Sequence, residues 1–199
     1  LAIEEPEAHL HPSMQFKFLK FLEKEIANQK VRQIFITTHS THITSAVTLD
    51  ELICLYRKKE DGLTVIGYPG KVFDEGGSKY SKEDLVSKKY VQRFLDATKS
   101  DMLFSDRVLF VEGLAEQLML PVFAEIEGYS LEDHHVSVVS IGGRYFNHFL
   151  KLFDKENRKS ALPKKVVIIT DRDPERKEKN ARKNNNNFTP CYPFEYELD

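Results

Sequence analysis

Two apolar runs in the second half of the chain, Val108-Leu109-Phe110-Val111 and Val166-Val167-Ile168-Ile169-Thr170, are short, continuous and rich in β-branched residues. Such runs predict parallel strands buried on both faces, whereas a half-solvated sheet would show strict alternation. From Asp106 onward the order reads strand, helix, strand, helix, strand. The strands are expected over 107–111, 136–141 and 166–170, and the helices over about 114–127 and 145–154. This alternation implies right-handed βαβ units on a parallel sheet, an α/β fold. Pro121 falls inside the first of these helices and is expected to kink or interrupt it.

The first part of the chain reads as a separate unit over residues 1–66. Leu1-Ala2-Ile3 resembles the tail of a buried strand, and Pro12 suits a first helical position. Phe18, Leu19, Leu22 and Ile26 then form an apolar stripe along a helix. Residues 31–38 read as a strand, and 52–57 pairs with 63–66 across Asp61-Gly62, a hairpin signal. A stretch containing Gly, Ser and Lys near 67–80 reads as a linker. Ser81 and Asp84 suggest a capping box for a helix running to about Lys99, with Val86, Tyr90 and Phe94 on one face. The chain thus divides into 1–66, a linker and connecting helix over 67–105, and 106–199. Residues 174–187 are polar, with Asn184 to Asn187 consecutive, and predict a mobile loop.

Composition narrows the partners. Lys and Arg total 29 against 31 Asp and Glu, so contact with nucleic acid must come from local patches. Cys54 and Cys191 match no metal or redox spacing and read as reduced thiols of a cytoplasmic protein, although two cysteines could also pair. No apolar stretch is long enough for a membrane span. The chain opens on Leu1 inside an apolar run, and we read it as a piece of something longer.

Acidic residues follow the strands where an open α/β sheet places its chemistry. Val111 leads into Glu112-Gly113 with Glu116 one helical turn on, and Thr170 leads into Asp171-Arg172-Asp173. The intervening strand ends in Gly142-Gly143, where a phosphate or a backbone could approach closely. Carboxylates converging on one crevice repel one another and call for a divalent cation. Hard oxygen donors favour Mg²⁺ or Mn²⁺, and two such ions suit phosphodiester hydrolysis. The bland alternative is a row of solvated acids, with Glu116 serving a helix end. An Asp-x-Asp also suits haloacid dehalogenase phosphatases, but Glu175 stands where their threonine belongs and Glu112 would go unexplained.

Glu4-Glu5 after the first strand suits an ATPase, one acid holding magnesium through water and the next polarising the attacking water. His39, ending Phe35-Ile36-Thr37-Thr38, offers an imidazole to a γ-phosphate. Gly62-x-x-x-x-Gly67 is followed by Tyr68 instead of lysine, so these residues contain no phosphate loop and should not hold ATP tightly by themselves. His9 and His11 lack further ligands for zinc, and His134, His135 and His148 read as loop or helix-surface residues. Arg176, Lys177, Lys179, Arg182 and Lys183 interleave with acids and have no aromatic until Phe188. They suit phosphate steering or plain solvation, and base stacking is not indicated there.

Together these residues resemble the OLD (overcoming lysogenization defect) family of ATP-dependent nucleases, including the large subunit of Gabija phage-defence systems. The segment Leu1 to Pro12 is similar to the family's Walker B strand and D-loop. Phe35 to Ser40 is similar to the switch-histidine strand of ABC-type ATPases, and residues 107–199 to a Toprim (topoisomerase–primase) domain. The resemblance implies the C-terminal portion of an ABC-type ATPase domain followed by a Toprim domain. It gives Glu4 to magnesium, Glu5 to catalysis and His39 to the γ-phosphate of ATP. Glu112, Asp171 and Asp173 go to the nuclease metals, Glu116 to a second metal, and Glu195 becomes a further candidate. Glu4 stands where Walker B usually has Asp. DNA is the implied substrate, with pairing of ATPase heads into a homo-oligomer and a helicase-like defence subunit as implied partners. A metal-dependent nuclease under ATP control is the leading expectation. An ATP-switched clamp or sensor without nuclease activity, and a primase-like nucleotidyl transferase, are the alternatives.

Overall fold

The computed structural model describes residues 1–58, 62–75, 82–143 and 145–170, together with the backbone of 190–191. Strand β1 (Ala2–Glu4) leads through a 3-10 turn to helix α1 (Pro12–Ala27), followed by β2 (Phe35–Thr37) and α2 (Thr41–Ala46). A hairpin of β3 (Cys54–Arg57) and β4 (Thr64–Gly67) precedes α3 (Lys82–Phe94) and α4 (Ala97–Ser100). Then come β5 (Arg107–Val111), α5 (Leu114–Ile126), β6 (Val136–Ser140), α6 (Phe146–Leu150), β7 (Lys165–Ile169) and β8 (Pro190–Cys191). The last four strands form one sheet in the order β6-β5-β7-β8, and all of its pairings are parallel. β1 and β2 pair in parallel, and β3 and β4 antiparallel.

The core lies on one face of the larger sheet. Val108, Phe110 and Val139 are buried there, and the Phe110 ring lies 6.0 Å from both Phe149 and Phe153. The same apolar cluster takes in Leu49, Val72 and Phe73 before α3, Val91 along it, and Leu95 and Met102 after it. Complete burial of side chains such as Phe73, Phe110 and Phe149 contributes about 1.5–3 kcal/mol each. The opposite face carries α5, which has no buried residue: Leu114, Leu118, Met119, Val122, Phe123 and Ile126 are exposed. Gln117 on this helix donates its side-chain N–H to the Val138 carbonyl at 3.0 Å, satisfying an acceptor on edge strand β6.

Several expectations change in detail. The three βαβ strands sit where the apolar runs placed them, within a residue at each end. The strand read over 31–38 shrinks to Phe35–Thr37, and the run 166–170, expected to be buried on both faces, forms β7 with Val167 exposed and Val166, Ile168 and Ile169 half-buried. The first half of the stretch read as a linker is packed core, because Val72 and Phe73 are fully buried. The helix expected to reach Lys99 breaks after Phe94, where the Asp96 carboxylate accepts the Lys99 amide at 2.9 Å and starts α4 anew. The buried face of α3 holds Asp84, Ser87 and Val91, so Val86 and Phe94 point outward. Helix α5 continues through Pro121. The loop read over 174–187 lies outside the described residues.

The sequence pairs Asp84 with Ser81 in a capping box, and Ser81 lies outside the described residues. Asp84 is 4% exposed, and its side chain accepts Lys151 Nζ and Arg158 Nη2, each at 2.8 Å. Arg158 also donates to the Val72 carbonyl. A buried carboxylate with two cations ties α3 to the segment after α6 and fixes how the connecting helix lies on the sheet.

Candidate active site

The carboxyl end of β5 delivers Glu112, and the end of β7 delivers Thr170, because the two strands pair in register from Arg107↔Lys165 to Val111↔Ile169. The Thr170 hydroxyl donates to Glu112 Oε1. Gly143, at the end of β6, donates its amide to the Glu112 carbonyl at 2.9 Å, so three adjacent strand ends meet around this residue. Gly142 and Gly143 have φ of 72° and 126°, a backbone that side-chain-bearing residues rarely adopt. Glycine is therefore required for the chain to turn beside Glu112.

Glu116 has a local role as well as a place near the site. Its Oε2 accepts the Gly113 amide at 3.0 Å, closing the first turn of α5 in capping-box fashion. Asp171, Asp173 and Glu195 lie outside the described residues, and among the described residues no three His, Cys, Asp or Glu gather closely enough to hold a metal. What is on view is an all-oxygen donor set begun by Glu112 at a strand end, chemically suited to a hard divalent cation.

A second group forms where β1 and β2 end side by side. Glu4 pairs with Thr37, and the Glu5 amide donates to the Thr37 carbonyl at 2.9 Å. Glu5 sits at φ 40°, ψ 56°, in the left-handed region, although it precedes Pro6. A residue before proline avoids helical conformations, and a non-glycine residue at positive φ is uncommon, so this backbone is strained. Its carboxylate lies 3.5 Å from His39 Nε2, which brings together two residues 34 apart in sequence order.

Sequence reasoning passed over Glu7. Its Oε1 accepts both the Thr38 hydroxyl and the His39 amide, each at 2.7 Å, while Oε2 is buried without a hydrogen-bond partner. Burial pushes this carboxyl up, but the hydrogen bonds from Thr38 and His39 outweigh it and hold its pKa below the ordinary value. The signal was available in the third acid of Glu4-Glu5-Pro6-Glu7, but its partners come from another strand. His11 is the N-cap of α1, its Nδ1 accepting the Ser13 amide at 3.3 Å. His148 was read as a loop or surface residue. It is instead half-buried and bonds to Ser87 Oγ at 3.0 Å, and burial, then the charge of Lys151, lower its pKa.

Comparison with known proteins agrees with both halves. Residues 103–173 match the TOPRIM domain of overcoming lysogenization defect protein-like proteins, and residues 1–44 match an AAA ATPase domain. Endonuclease GajA of Bacillus cereus (strain HuB5-5) is 29% identical over 188 residues, covering 88% of this chain and 26% of that protein. The OLD nuclease of Thermus scotoductus (strain ATCC 700910 / SA-01) is 32% identical over 143 residues, covering 71% of this chain and 26% of that protein. The C-terminal region of the Xanthomonas campestris pv. campestris OLD protein matches with 38% identity and a TM-score of 0.34, over 37% of this chain and 33% of that one. The chain therefore spans about a quarter of the length of the curated relatives it matches. With an AAA-like segment leading into an OLD-like TOPRIM domain, the chain belongs with the OLD-family proteins.

Proposed function

We propose that the protein carrying this chain is an ATP-regulated, divalent-metal-dependent DNA endonuclease acting in anti-phage defence. The observation that carries the reading is the meeting of three strand ends at Glu112, with Thr170 beside it and Asp171 next in sequence. Glu112, Asp171 and Asp173 would hold Mg²⁺ or Mn²⁺, with Glu116 on a second ion and Glu195 a further ligand. Bound there, the metal supplies charge neutralisation and an acidified water. Glu112 is oriented for the task by the Thr170 hydroxyl, and Gly142, with nothing within 4 Å of its Cβ position, would leave room for a phosphate to approach. In the ATPase half, Glu4 would hold ATP-bound magnesium, Glu5 would orient the attacking water and His39 would contact the γ-phosphate. The phosphate loop would come from a separate part of the protein, and ATP-dependent pairing of two heads would govern DNA access. A helicase-like subunit and homo-oligomer formation belong to the same proposal.

Plasmid nicking by the full-length protein in Mn²⁺ tests this reading. Wild type should nick, Asp171→Ala and Glu112→Gln should lose activity by orders of magnitude with an unchanged melt, and Glu116→Ala should be milder. DNA binding without nicking would favour the clamp, and primer synthesis the nucleotidyl transferase. Wild-type rates in Asp171→Ala would end the nuclease assignment.

A further inference from the structure

The outward side of α3 carries chemistry that the site at Glu112 does not use. The Tyr90 ring lies 4.5 Å from Phe94, 4.4 Å from His148 at 29°, and 5.4 Å from Tyr145. Tyr145 and His148 are close to parallel, at 16°. These rings, from α3 and from the start of α6, make one continuous aromatic surface whose edge is open: Tyr145 is 55% exposed and Phe94 40%. Tyr145 is linked to the Glu112 strand end through Gly143. It stands two residues after Gly143, whose amide bonds to the Glu112 carbonyl, and its ring would lie 3.5 Å from a Cβ built on Gly143.

Cations flank the rings. Lys82, Lys89 and Arg93, about two turns and then one turn apart, share the outward side of α3 and flank Tyr90. None of the three forms an ion pair with a described residue, and the Arg93 guanidinium lies 5.8 Å over the Phe94 ring. A groove of about 350 Å³ continues along the helix between Lys82, Val86 and His148, with Glu83 the acid on its lining. A purely apolar patch would suit a protein partner. Cations without an ion pair among the described residues, interleaved with exposed rings, suit a polyanion that carries flat aromatic groups.

We propose that Tyr145, backed by Tyr90 and His148, stacks on an unpaired nucleobase of the DNA strand next to the scissile phosphate, while Lys82, Lys89 and Arg93 hold that strand's phosphates. The inference rests on Glu112 marking the cleavage centre. A base stacked on a side chain has given up a neighbour in the duplex, so the surface selects frayed, nicked or single-stranded DNA at the cut.

The test uses the full-length protein and a single-stranded oligonucleotide carrying 2-aminopurine, with Ca²⁺ in place of Mn²⁺ so that binding is read without cleavage. Wild type should quench the fluorescence on binding. Tyr145→Leu should lose most of the quench and bind ~10-fold more weakly, whereas Tyr145→Phe should keep both. Replacing Lys82, Lys89 and Arg93 together by Gln should flatten the dependence of log K on log salt by about two units, at ~0.7 per phosphate contact. Tyr145→Leu that binds and quenches like wild type overturns the proposal. If Tyr145→Leu fails to fold, Tyr145→Trp decides instead: undiminished quench supports stacking, and loss of quench refutes it. A Tyr145-dependent quench without nicking in Mn²⁺ leaves the stacking surface standing and removes the nuclease reading. Nicking with a Tyr145-independent quench does the reverse, and wild type that binds no DNA removes both.

Discussion

Glu7 shows how one carboxylate can organise a neighbouring strand end. With Thr38 and His39 both donating to Oε1, the carboxylate holds the backbone from which the His39 imidazole reaches Glu5. Removing it leaves two donors to find new acceptors, which costs about 1–3 kcal/mol. Glu7→Ala should therefore lower unfolding stability by that amount at pH 7 in a urea titration. The folded-state pKa is depressed, so the stabilisation is present above the ordinary carboxylate value and is lost as pH falls through the folded one. The difference between wild type and Glu7→Ala should accordingly shrink in the same titration at pH 3. An undiminished gap at low pH would show that the carboxylate charge is not what holds the turn.

At the scale of elements, short local hydrogen bonds decide where helices stop. Nothing in the helical pattern from Lys82 onward forces a break at Leu95, yet Asp96 takes an extended backbone and its side chain accepts from the Lys99 amide, the Lys99 ammonium and the Thr98 hydroxyl. An N-cap of this kind contributes about 0.5–2 kcal/mol. Burial opposes ionisation, but Lys99 and Thr98 prevail and bring the Asp96 pKa down to about 2. Asp96→Ala should thus destabilise the chain at neutral pH. Its cost should persist below the ordinary value of 3.8 and fade as pH approaches 2, which thermal melts across that range will show. A cost that is constant with pH would point to packing instead of the charged cap. The chain after this break leads to Met102, which is fully buried.

At the scale of the whole molecule, the hairpin, the connecting helix and the larger sheet share one apolar cluster and are tied by buried charge. Lys164, 8% exposed at the start of β7, donates to the Met102 carbonyl at 2.8 Å and to the Ser105 carbonyl, and its ammonium lies 4.7 Å over the Tyr56 ring of the hairpin. Burial lowers its pKa to about 8, against smaller upward pulls from Cys54, Asp106 and Asp101. In this case the unfolded chain holds the proton more tightly than the folded one. The burden of the buried charge is complete below pH 8 and is relieved as pH rises toward the unfolded value of 10.5, by about 3 kcal/mol at ~1.4 kcal/mol per pH unit. Compared with Lys164→Met, which cannot titrate, wild type should gain relative stability between pH 7.5 and 10 in paired denaturant titrations. A gap that stays constant would mean that the ammonium is not desolvated. The His39 ring also lies 6.4 Å from Phe104, three residues before β5, a direct contact between the first unit and the chain entering the larger sheet.

The parallel sheet, its strand limits and the acidic strand ends were legible because each is local. A buried parallel strand must be apolar along its length, and the first residue to leave the sheet meets solvent, so the sequence marks both events with a change of residue type. For the same reason Glu112 and the Gly142-Gly143 turn could be picked out from the chain, and the hairpin could be read from the Gly62 turn, whose φ is 68°. The tertiary structure decided matters that depend on partners distant in sequence. It alone showed that Val72 and Phe73 are core instead of linker, and that Asp84 serves Lys151 and Arg158. It also showed that Glu7 clamps His39, and that Tyr90 and His148 meet Tyr145. Residue type announces burial or charge, but a hydrogen bond or a stacked pair is a property of two residues, and only folding chooses the second.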